Sequence, residues 1–189
     1  MERVICLLAV LVLCACQPES LQKGDLLFHV ADEDNAITDV TPGMIDHVAI
    51  VLSKDSVIEA VPKGVVTTAI DFLRKQKGYY LWARVEDIDA EKSVGNACRY
   101  LGRAYDSLYL PDNSEIYCSE LVQLSFVDKR GNMVFKPIPM SFHDASGEIT
   151  PYWIDFYTNH NMKVPEGKPG TNPGELSRLS NVSIIGKLK

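Results

Sequence analysis

Apolar and polar residues alternate along the first half of the chain in a pattern that predicts strands. Runs rich in β-branched and aromatic residues are separated by short turn-forming segments. They span residues 25–30, 47–52, 57–61, 65–68 and 79–85, and a short helix is predicted over 71–77. The run that follows His47 is apolar at every position, which favours a central strand covered on both faces.

From residue 90 onward the apolar positions recur at helical spacing. A helix is predicted over residues 90–101, with Asp89 as its N-cap and Gly102 as its stop. Its inward stripe comprises Val94, Ala97, Cys98 and Leu101. A second helix is predicted over residues 117–127, and Cys118 falls in its first turn.

The last part of the chain shows no regular period. From about residue 136 it contains six of the ten prolines, and proline interrupts both helices and inner strands. We therefore predict an irregular C-terminal arm with one aromatic anchor, at residues 152–157.

The first sixteen residues differ from everything that follows. Arg3 precedes an apolar run at residues 4–15, which is too short for a hydrocarbon core that needs roughly 20 residues but is typical of a signal peptide. The run ends in Leu13-Cys14-Ala15-Cys16, which resembles a bacterial lipobox with Cys16 as the lipidated residue. An ordinary signal peptide cut nearby is the alternative.

The lipobox interpretation predicts a lipoprotein signal over residues 1–16, a tether over 17–22 and one domain over 23–189. The mature protein is then expected at the bacterial cell envelope, attached to a membrane through the lipid on Cys16. Nucleic acid is excluded as a partner, because the net charge is −6 and no basic run is present.

Cys118 is the candidate nucleophile. A cysteine reacts as its thiolate, and a helix start beside an imidazole favours that form. Cys98 points to the core on its predicted helix, so a Cys98–Cys118 disulfide is disfavoured, and the spacing of the cysteines suggests no zinc site. A buried and inert Cys118 is the alternative.

His47 is the candidate base, because it begins the most buried strand and faces whatever helix packs across the sheet. His29 can face the same helix from a neighbouring strand, whereas His143 and His160 lie in the irregular arm and are expected to be exposed. A core histidine with no chemical role is the alternative for His47.

Glu59 is the candidate for orienting His47, because a carboxylate in an apolar strand needs a partner. A tight turn at residues 54–55 places Glu59 nearer Ile50 than His47, so their contact requires a bulge or a different register. Asp25 or Asp46 supplying the carboxylate, or a solvent-facing Glu59, are the alternatives.

Five short stretches carry a resemblance to a known family. They are residues 23–28, 46–51, 57–60, 102–106 and 117–122. Together they resemble the permuted papain-like amidases of the YiiX/YebB type, relatives of the NlpC-type cell-wall peptidases. His47 precedes Cys118, as the permuted group requires, and Asp46 stands where a small residue is more usual.

The resemblance implies an α+β, papain-like fold, a circularly permuted NlpC type, in which an antiparallel, partly barrel-like sheet packs against the helix of Cys118. It implies hydrolysis of an amide, in a cell-wall peptide or an N-acyl molecule, by Cys118, His47 and Glu59, with no metal or cofactor. The substrate and the oxyanion are expected near Tyr117, Asp25 and Tyr105. A lipid acyltransferase or thioesterase, and a catalytically silent binding module, are the rival functions.

Overall fold

A computed structural model describes residues 20–111 and 113–188. The predicted signal peptide, Cys16 and residues 17–19 of the tether lie outside the described residues. Among the described residues, no helix combines the length and apolarity needed to cross a bilayer.

The described residues form eight strands, and six of them make one sheet. The strands are β1 (Leu26–Val30), β2 (Ile45–Ser53), β3 (Ser56–Val61), β4 (Gly64–Ala69), β5 (Tyr79–Val85), β6 (Ile138–Pro139), β7 (Pro169–Gly170) and β8 (Val182–Lys187). The main sheet has the order β4-β3-β2-β1-β5-β8, and β6 pairs only with β7. All of the pairings are antiparallel.

The α+β fold and the antiparallel sheet predicted from the sequence are confirmed. The sheet does not close into a barrel, because β4 and β8 remain as separate edges. A closed barrel would require its first and last strands to pair with each other.

The sheet is covered on both faces, as the apolar run in β2 predicts. One face packs against α2 (Ala90–Cys98) and α3 (Cys118–Ser125), and the other packs against the short helix α1 (Ile70–Leu73). Alternate residues of β2 point to the two faces. Val48 and Ile50 pack on the face of α2 and α3, and Ala49 and Val51 pack on the face of α1. This division follows from the two-residue period of side chains along a strand.

The two long predicted helices form but end earlier than expected. Asp89 caps α2, since its carboxylate accepts a hydrogen bond from the Lys92 amide at 3.0 Å. Leu101 lies beyond the end of α2 and is 46% exposed, so it is not part of the buried stripe. Cys98 packs at the edge of the core, and Cys98 and Cys118 are both free thiols.

The C-terminal arm is more regular than its prolines suggest. The aromatic anchor lies in helix α4 (Pro151–Asn159), which begins with a proline in its first turn, where its missing N–H costs nothing. A further short helix, α5 (Pro173–Leu176), precedes β8. Strand β8 then pairs with β5, so the arm ends as an edge of the main sheet.

Two irregularities in β2 affect the position of the site. Near its start, His29 pairs with His47 and Val30 pairs with Ile45, which leaves Asp46 as an unpaired, bulged residue. Near its end, Val51 pairs with Val57 and Ser53 with Ser56, which leaves Leu52 unpaired. A bulge shifts every later side chain by one position relative to the neighbouring strand.

The turn between β3 and β4 packs tightly against the chain that follows α2. A Cβ at Gly64 would lie 2.5 Å from the Arg103 carbonyl oxygen, and Gly64 has a φ of +106°. Gly102 also has a positive φ, of +82°, but a Cβ there meets nothing within 4 Å. An alanine at Gly102 would therefore introduce backbone strain alone, whereas an alanine at Gly64 would introduce both backbone strain and a steric overlap.

We predict that Gly64→Ala destabilises the protein more than Gly102→Ala. The second change should lower the free energy of unfolding by about 1–2 kcal/mol, the cost of a left-handed backbone, and the first by at least about 3 kcal/mol. Urea denaturation of both variants measures the difference. Equal losses would show that the turn does not depend on its contact with Arg103.

Candidate active site

Cys118 is the first residue of α3 and is buried, with 6% of its surface exposed. The chain reaches it in an extended conformation at Tyr117, the N-cap residue. Glu120 reaches back to accept a long hydrogen bond from the Tyr117 amide at 3.4 Å. The first-turn amides of α3 have no intrahelical acceptor, and their dipoles favour a negative charge at the position of Cys118.

His47 and Glu59 are in direct contact. The Nε2 atom of His47 lies 2.7 Å from Oε2 of Glu59. The imidazole is 19% exposed and the carboxylate only 5%, so this pair is largely withdrawn from water. Glu59 takes Nε2, which leaves Nδ1 as the ring nitrogen available to Cys118. The neighbouring Cys118 raises the pKa of His47.

The bulge at Leu52 makes this contact possible. In a hairpin without it, Glu59 would stand opposite Ile50 and point to the other face of the sheet from His47. With the bulge, Ile50 pairs with Ile58, and the same register puts Glu59 opposite Ala49, two residues from His47 on the same face. Diagonal neighbours at this spacing are within reach of long side chains.

The charges in the contact reinforce each other. Burial alone would lower the pKa of His47, but hydrogen bonds and charges from Cys118 and Glu59 raise it to about 10. Burial alone would raise the pKa of Glu59, but its bonds to His47 and Thr68 and the charge of Lys63 hold it below its usual value. His47 is therefore an imidazolium facing a carboxylate at neutral pH.

Asp46 is occupied by other partners. Its Oδ1 lies 2.6 Å from Nδ1 of His29, and its Oδ2 accepts a hydrogen bond from the Asn35 side chain at 2.9 Å. It therefore does not take the position of Glu59 against His47.

Asp25 does not lie with these groups, and its predicted place near the substrate is corrected. It precedes β1, at the opposite end of that strand from His29, the partner of His47. Its carboxylate accepts hydrogen bonds from Trp82 at 2.6 Å and from Arg84 at 3.1 Å. Because Asp25 is almost fully buried, these bonds are what offsets the loss of its hydration.

Tyr105 and Tyr117 both border the same cavity as Cys118. Burial, together with the nearby Cys118 and Tyr109, raises the pKa of Tyr105 well above its usual value. The Tyr117 hydroxyl accepts a hydrogen bond from the Thr171 amide at 3.0 Å. Each tyrosine is thus held in place as a neutral phenol.

Tyr109 lies in a loop that a buried carboxylate organises. Asp106 is fully buried and accepts hydrogen bonds from the amides of Leu108 and Leu110 and from the Asn113 side chain. Tyr109 has a φ of +51°, an unfavourable value for a bulky residue. The loop therefore stores backbone strain beside Cys118.

The cavity in front of Cys118 is mainly apolar. The loop after β1 contributes Ile37 and Val40, and the rest of the wall comes from the C-terminal arm. The arm residues on the cavity are Ile138, Met140, Phe142, Trp153 and Thr171. Trp153 and Phe142 pack with Tyr157 in an aromatic cluster of their own, which fixes the wall from behind.

A second, more polar groove lies on the other side of His47. It is lined by His29, His47, Glu59, Lys63, Lys77 and Tyr80, among others. The imidazole of His47 lines this groove, whereas Cys118 lines the apolar cavity. His47 and Cys118 therefore border different spaces, and the one at His47 has more charged residues in its lining.

Sequence reasoning missed most of the cavity wall. It placed the aromatic anchor of α4 in an irregular arm and gave Tyr109, Met140 and Phe142 no role. The spacing of Trp153 and Tyr157, four residues apart, was the available signal that they share one face of a helix. No local signal indicates that this face packs against a loop more than 100 residues earlier, yet Trp153 bonds the Ala36 carbonyl oxygen.

Within residues 20–111 and 113–188, no group of three or more His, Cys, Asp or Glu side chains is arranged to hold a metal ion. The candidate site is thus built from a thiol, an imidazole, a carboxylate and phenols.

Comparisons with known proteins identify a family and a similar fold. A family model described as permuted papain-like amidase enzyme, YaeF/YiiX, C92 family, matches residues 20–182. A crystal structure of metalloprotein yiiX from Escherichia coli O157:H7 is similar at a TM-score of 0.70 and 22% identity, over 88% of this chain and 97% of that one. No curated protein matches the chain. The family resemblance drawn from five short motifs is confirmed.

We predict that Glu59→Gln lowers the pKa of His47 from about 10, because the carboxylate charge that favours imidazolium is lost. Asp46→Asn should change it much less, since that carboxylate bonds to His29. NMR titration of the imidazole resonances measures both. A larger fall in the Asp46 variant would show that Asp46 is the dominant carboxylate.

The same pair makes stability depend on pH. A raised pKa at His47 stabilises the fold below the ordinary histidine value of 6.5 and stops doing so as pH rises toward about 10. A lowered pKa at Glu59 stabilises the fold above the ordinary glutamate value of 4.5 and stops doing so as pH falls. The melting-temperature gap between wild type and Glu59→Gln should therefore be widest between pH 4.5 and 6.5.

Proposed function

The chain belongs to the permuted papain-like amidase family, and from that premise we propose that it cleaves amide bonds with Cys118 as nucleophile, His47 as acid and base, and Glu59 as the group that orients His47. The observation that carries the proposal is the position of His47, whose Nε2 lies 2.7 Å from Glu59 and whose pKa the neighbouring Cys118 raises. A nucleophile, a base and an orienting carboxylate in this order are what acyl transfer through a cysteine requires.

The reaction would proceed in two halves. The thiolate of Cys118 attacks the amide carbonyl carbon, and the imidazolium of His47 then gives its proton to the leaving nitrogen as the carbon–nitrogen bond breaks. Water attacks the resulting thioester while neutral His47 takes a proton from it. The acid product leaves, and Cys118 and His47 return to the thiolate–imidazolium pair.

Negative charge develops on the carbonyl oxygen in both halves. The amide of Cys118, at the start of α3, is the first candidate donor to this oxyanion. The Tyr105 hydroxyl is the second, because it borders the cavity beside Cys118, and its raised pKa keeps its proton in place.

The substrate would be a cell-wall peptide or an N-acyl small molecule with an apolar acyl part. The apolar wall built from Ile37, Met140 and Trp153 supports this half of the substrate. The same wall favours a second candidate function, a thioesterase or acyltransferase that acts on lipid acyl chains. The two functions share the acyl–Cys118 intermediate and differ in the bond that is cleaved or the acceptor that is used.

We also propose that the mature protein is a lipoprotein of the bacterial cell envelope, held at a membrane by lipid on Cys16. The support is the sequence of residues 1–16 alone, which lie outside the described part of the chain. A lipid anchor with the tether at 17–22 would hold the domain next to envelope substrates.

The hydrolase proposal is tested with matched cysteine variants. Wild type should hydrolyse N-acyl amino acids or peptidoglycan stem peptides, and Cys118→Ala should lower the rate by at least about a thousandfold, since it removes the nucleophile. Cys98→Ala is the control and should keep full activity. Release of the amine, measured by chromatography, reports amide cleavage.

Parallel assays with acyl thioesters and oxygen esters separate the two candidate functions. Cleavage of thioesters without any amide would favour the lipid reaction. No turnover of any acyl substrate, together with no labelling of Cys118 by acyl-enzyme-forming probes, would leave only the silent binding module.

The anchor is tested by mass spectrometry of the mature N-terminus. We expect a chain that starts at Cys16 and carries diacylglycerol, because the small Ala15 precedes that cysteine. Cys16→Ser should remain uncleaved and lose the lipid, whereas Cys14→Ser, the matched control, should be processed normally. A mature chain that starts elsewhere with a free thiol at Cys16 would contradict the lipoprotein reading.

A further inference from the structure

His29 and Asp46 form a second pair of charged groups beside the candidate site. Nδ1 of His29 lies 2.6 Å from Asp46, and Nε2 lies 2.7 Å from the Lys77 carbonyl oxygen. A carbonyl oxygen and an ionised carboxylate can only accept hydrogen bonds. His29 must therefore donate from both nitrogens, which makes it an imidazolium ion paired with the Asp46 carboxylate.

The His29–Asp46 pair is largely buried and closely packed. The His29 and Asp46 side chains are only 17% and 21% exposed. The hydrogen bond to Asp46 raises the pKa of His29, and that bond lowers the pKa of Asp46 against the opposing effect of burial. At Gly78, next to Lys77, a Cβ would lie 2.9 Å from Nε2 of His29 and 2.2 Å from the Val30 carbonyl oxygen.

The pair is connected to the loop that forms one wall of the apolar cavity. The second oxygen of Asp46 accepts from the Asn35 side chain at 2.9 Å. The amide oxygen of Asn35 then accepts from the backbone of Ile37 at 3.0 Å and of Thr38 at 3.2 Å. The Asn35 side chain therefore connects the charged pair to the backbone of residues 37 and 38, which belong to the cavity wall loop.

This loop, residues 31–44, meets the cavity in front of Cys118. Ile37, Val40 and Thr41 line that cavity, and Asp46 borders it as well. The loop is closed at its base by a bond from the Ala31 amide to the Met44 carbonyl oxygen at 2.8 Å. Between base and tip, Asn35 ties the loop to Asp46 of the sheet. Thr41 adds a longer bond to the Ile45 carbonyl oxygen at 3.4 Å, and Trp153 holds the loop from α4.

The pair is separate from the chemistry assigned to His47. Asp46 directs one oxygen to His29 and the other to Asn35, whereas His47 has Glu59. The bulge at Asp46 gives it this position, because it takes the residue out of the pairing between β1 and β2. An effect of Asp46 on substrate handling would therefore act on the shape of the cavity, which Asp46 borders itself and also reaches through the loop.

We propose that His29 and Asp46 are positioning residues, which hold the 31–44 loop through Asn35 and thereby set how long an apolar acyl chain the Cys118 cavity accepts. This inference rests on the proposed function in so far as the cavity holds the acyl group. It assigns the pair no role in bond cleavage.

The test measures chain-length selectivity without requiring turnover. Methyl and octyl methanethiosulfonate both react with a thiol, since Sγ attacks the sulfenyl sulfur, methanesulfinate leaves, and a mixed disulfide remains. The rate at Cys118, followed by site-resolved mass spectrometry, gives an octyl-to-methyl ratio. A change in thiolate reactivity affects both reagents equally and cancels in the ratio.

We expect Asp46→Asn and Asn35→Ala each to lower the octyl-to-methyl ratio about tenfold, the size expected for one lost hydrogen bond to a charged group. Asp39→Asn, an exposed change in the same loop, is the control and should leave the ratio unchanged. Asn35→Ala keeps the ion pair intact, so it decides the question if Asp46→Asn does not fold.

An unchanged ratio in folded Asn35→Ala would overturn the proposal, and so would an equal loss of rate for both reagents in Asp46→Asn. A wild type that hydrolyses nothing yet keeps a strong octyl preference that both variants lose would contradict the hydrolase function and leave this inference standing. A wild type that prefers neither reagent would contradict the inference alone.

Discussion

The hydrogen bond between His47 and Glu59 depends on one unpaired residue, Leu52 in β2. Without that bulge, side-chain alternation along the strand would send Glu59 to the opposite face of the sheet from His47. A carboxylate on the wrong face would be buried among apolar side chains with no cation to offset the loss of water. The bulge therefore determines both the stability of the β2–β3 hairpin and the arrangement of the candidate site.

The bulge at Asp46 has the complementary effect at the other end of β2. It takes Asp46 out of the pairing with β1, so that its carboxylate serves His29 and Asn35. Two histidines that face each other across β1 and β2 thus have separate carboxylate partners. Each imidazolium is neutralised locally, which limits the repulsion between two positive charges in a poorly solvated region.

The difference between the cavity at Cys118 and the groove at His47 follows from which part of the chain supplies each wall. The C-terminal arm contributes large apolar residues near Cys118, whereas the β3–β4 hairpin and the turn before β5 add charged residues near His47. The aromatic cluster of α4 supports the apolar side from behind and keeps its shape rigid.

The sequence by itself determined the elements whose signals are local. The first five strands, the Asp89 cap, the helix that begins at Cys118 and the order of His47 before Cys118 could all be read from residues close together in the chain, whereas β8 in the C-terminal arm was missed. It also identified Glu59 as a carboxylate in need of a partner, since its strand is otherwise apolar. Only the tertiary structure decided which partner Glu59 has. One bulge reverses the face of the sheet on which the Glu59 side chain lies, and no residue in the hairpin predicts that bulge. The same holds for the cavity wall, where the arm packs against a loop more than a hundred residues earlier, and for the open edges of the sheet. These features depend on contacts between distant segments, which local periodicity does not encode.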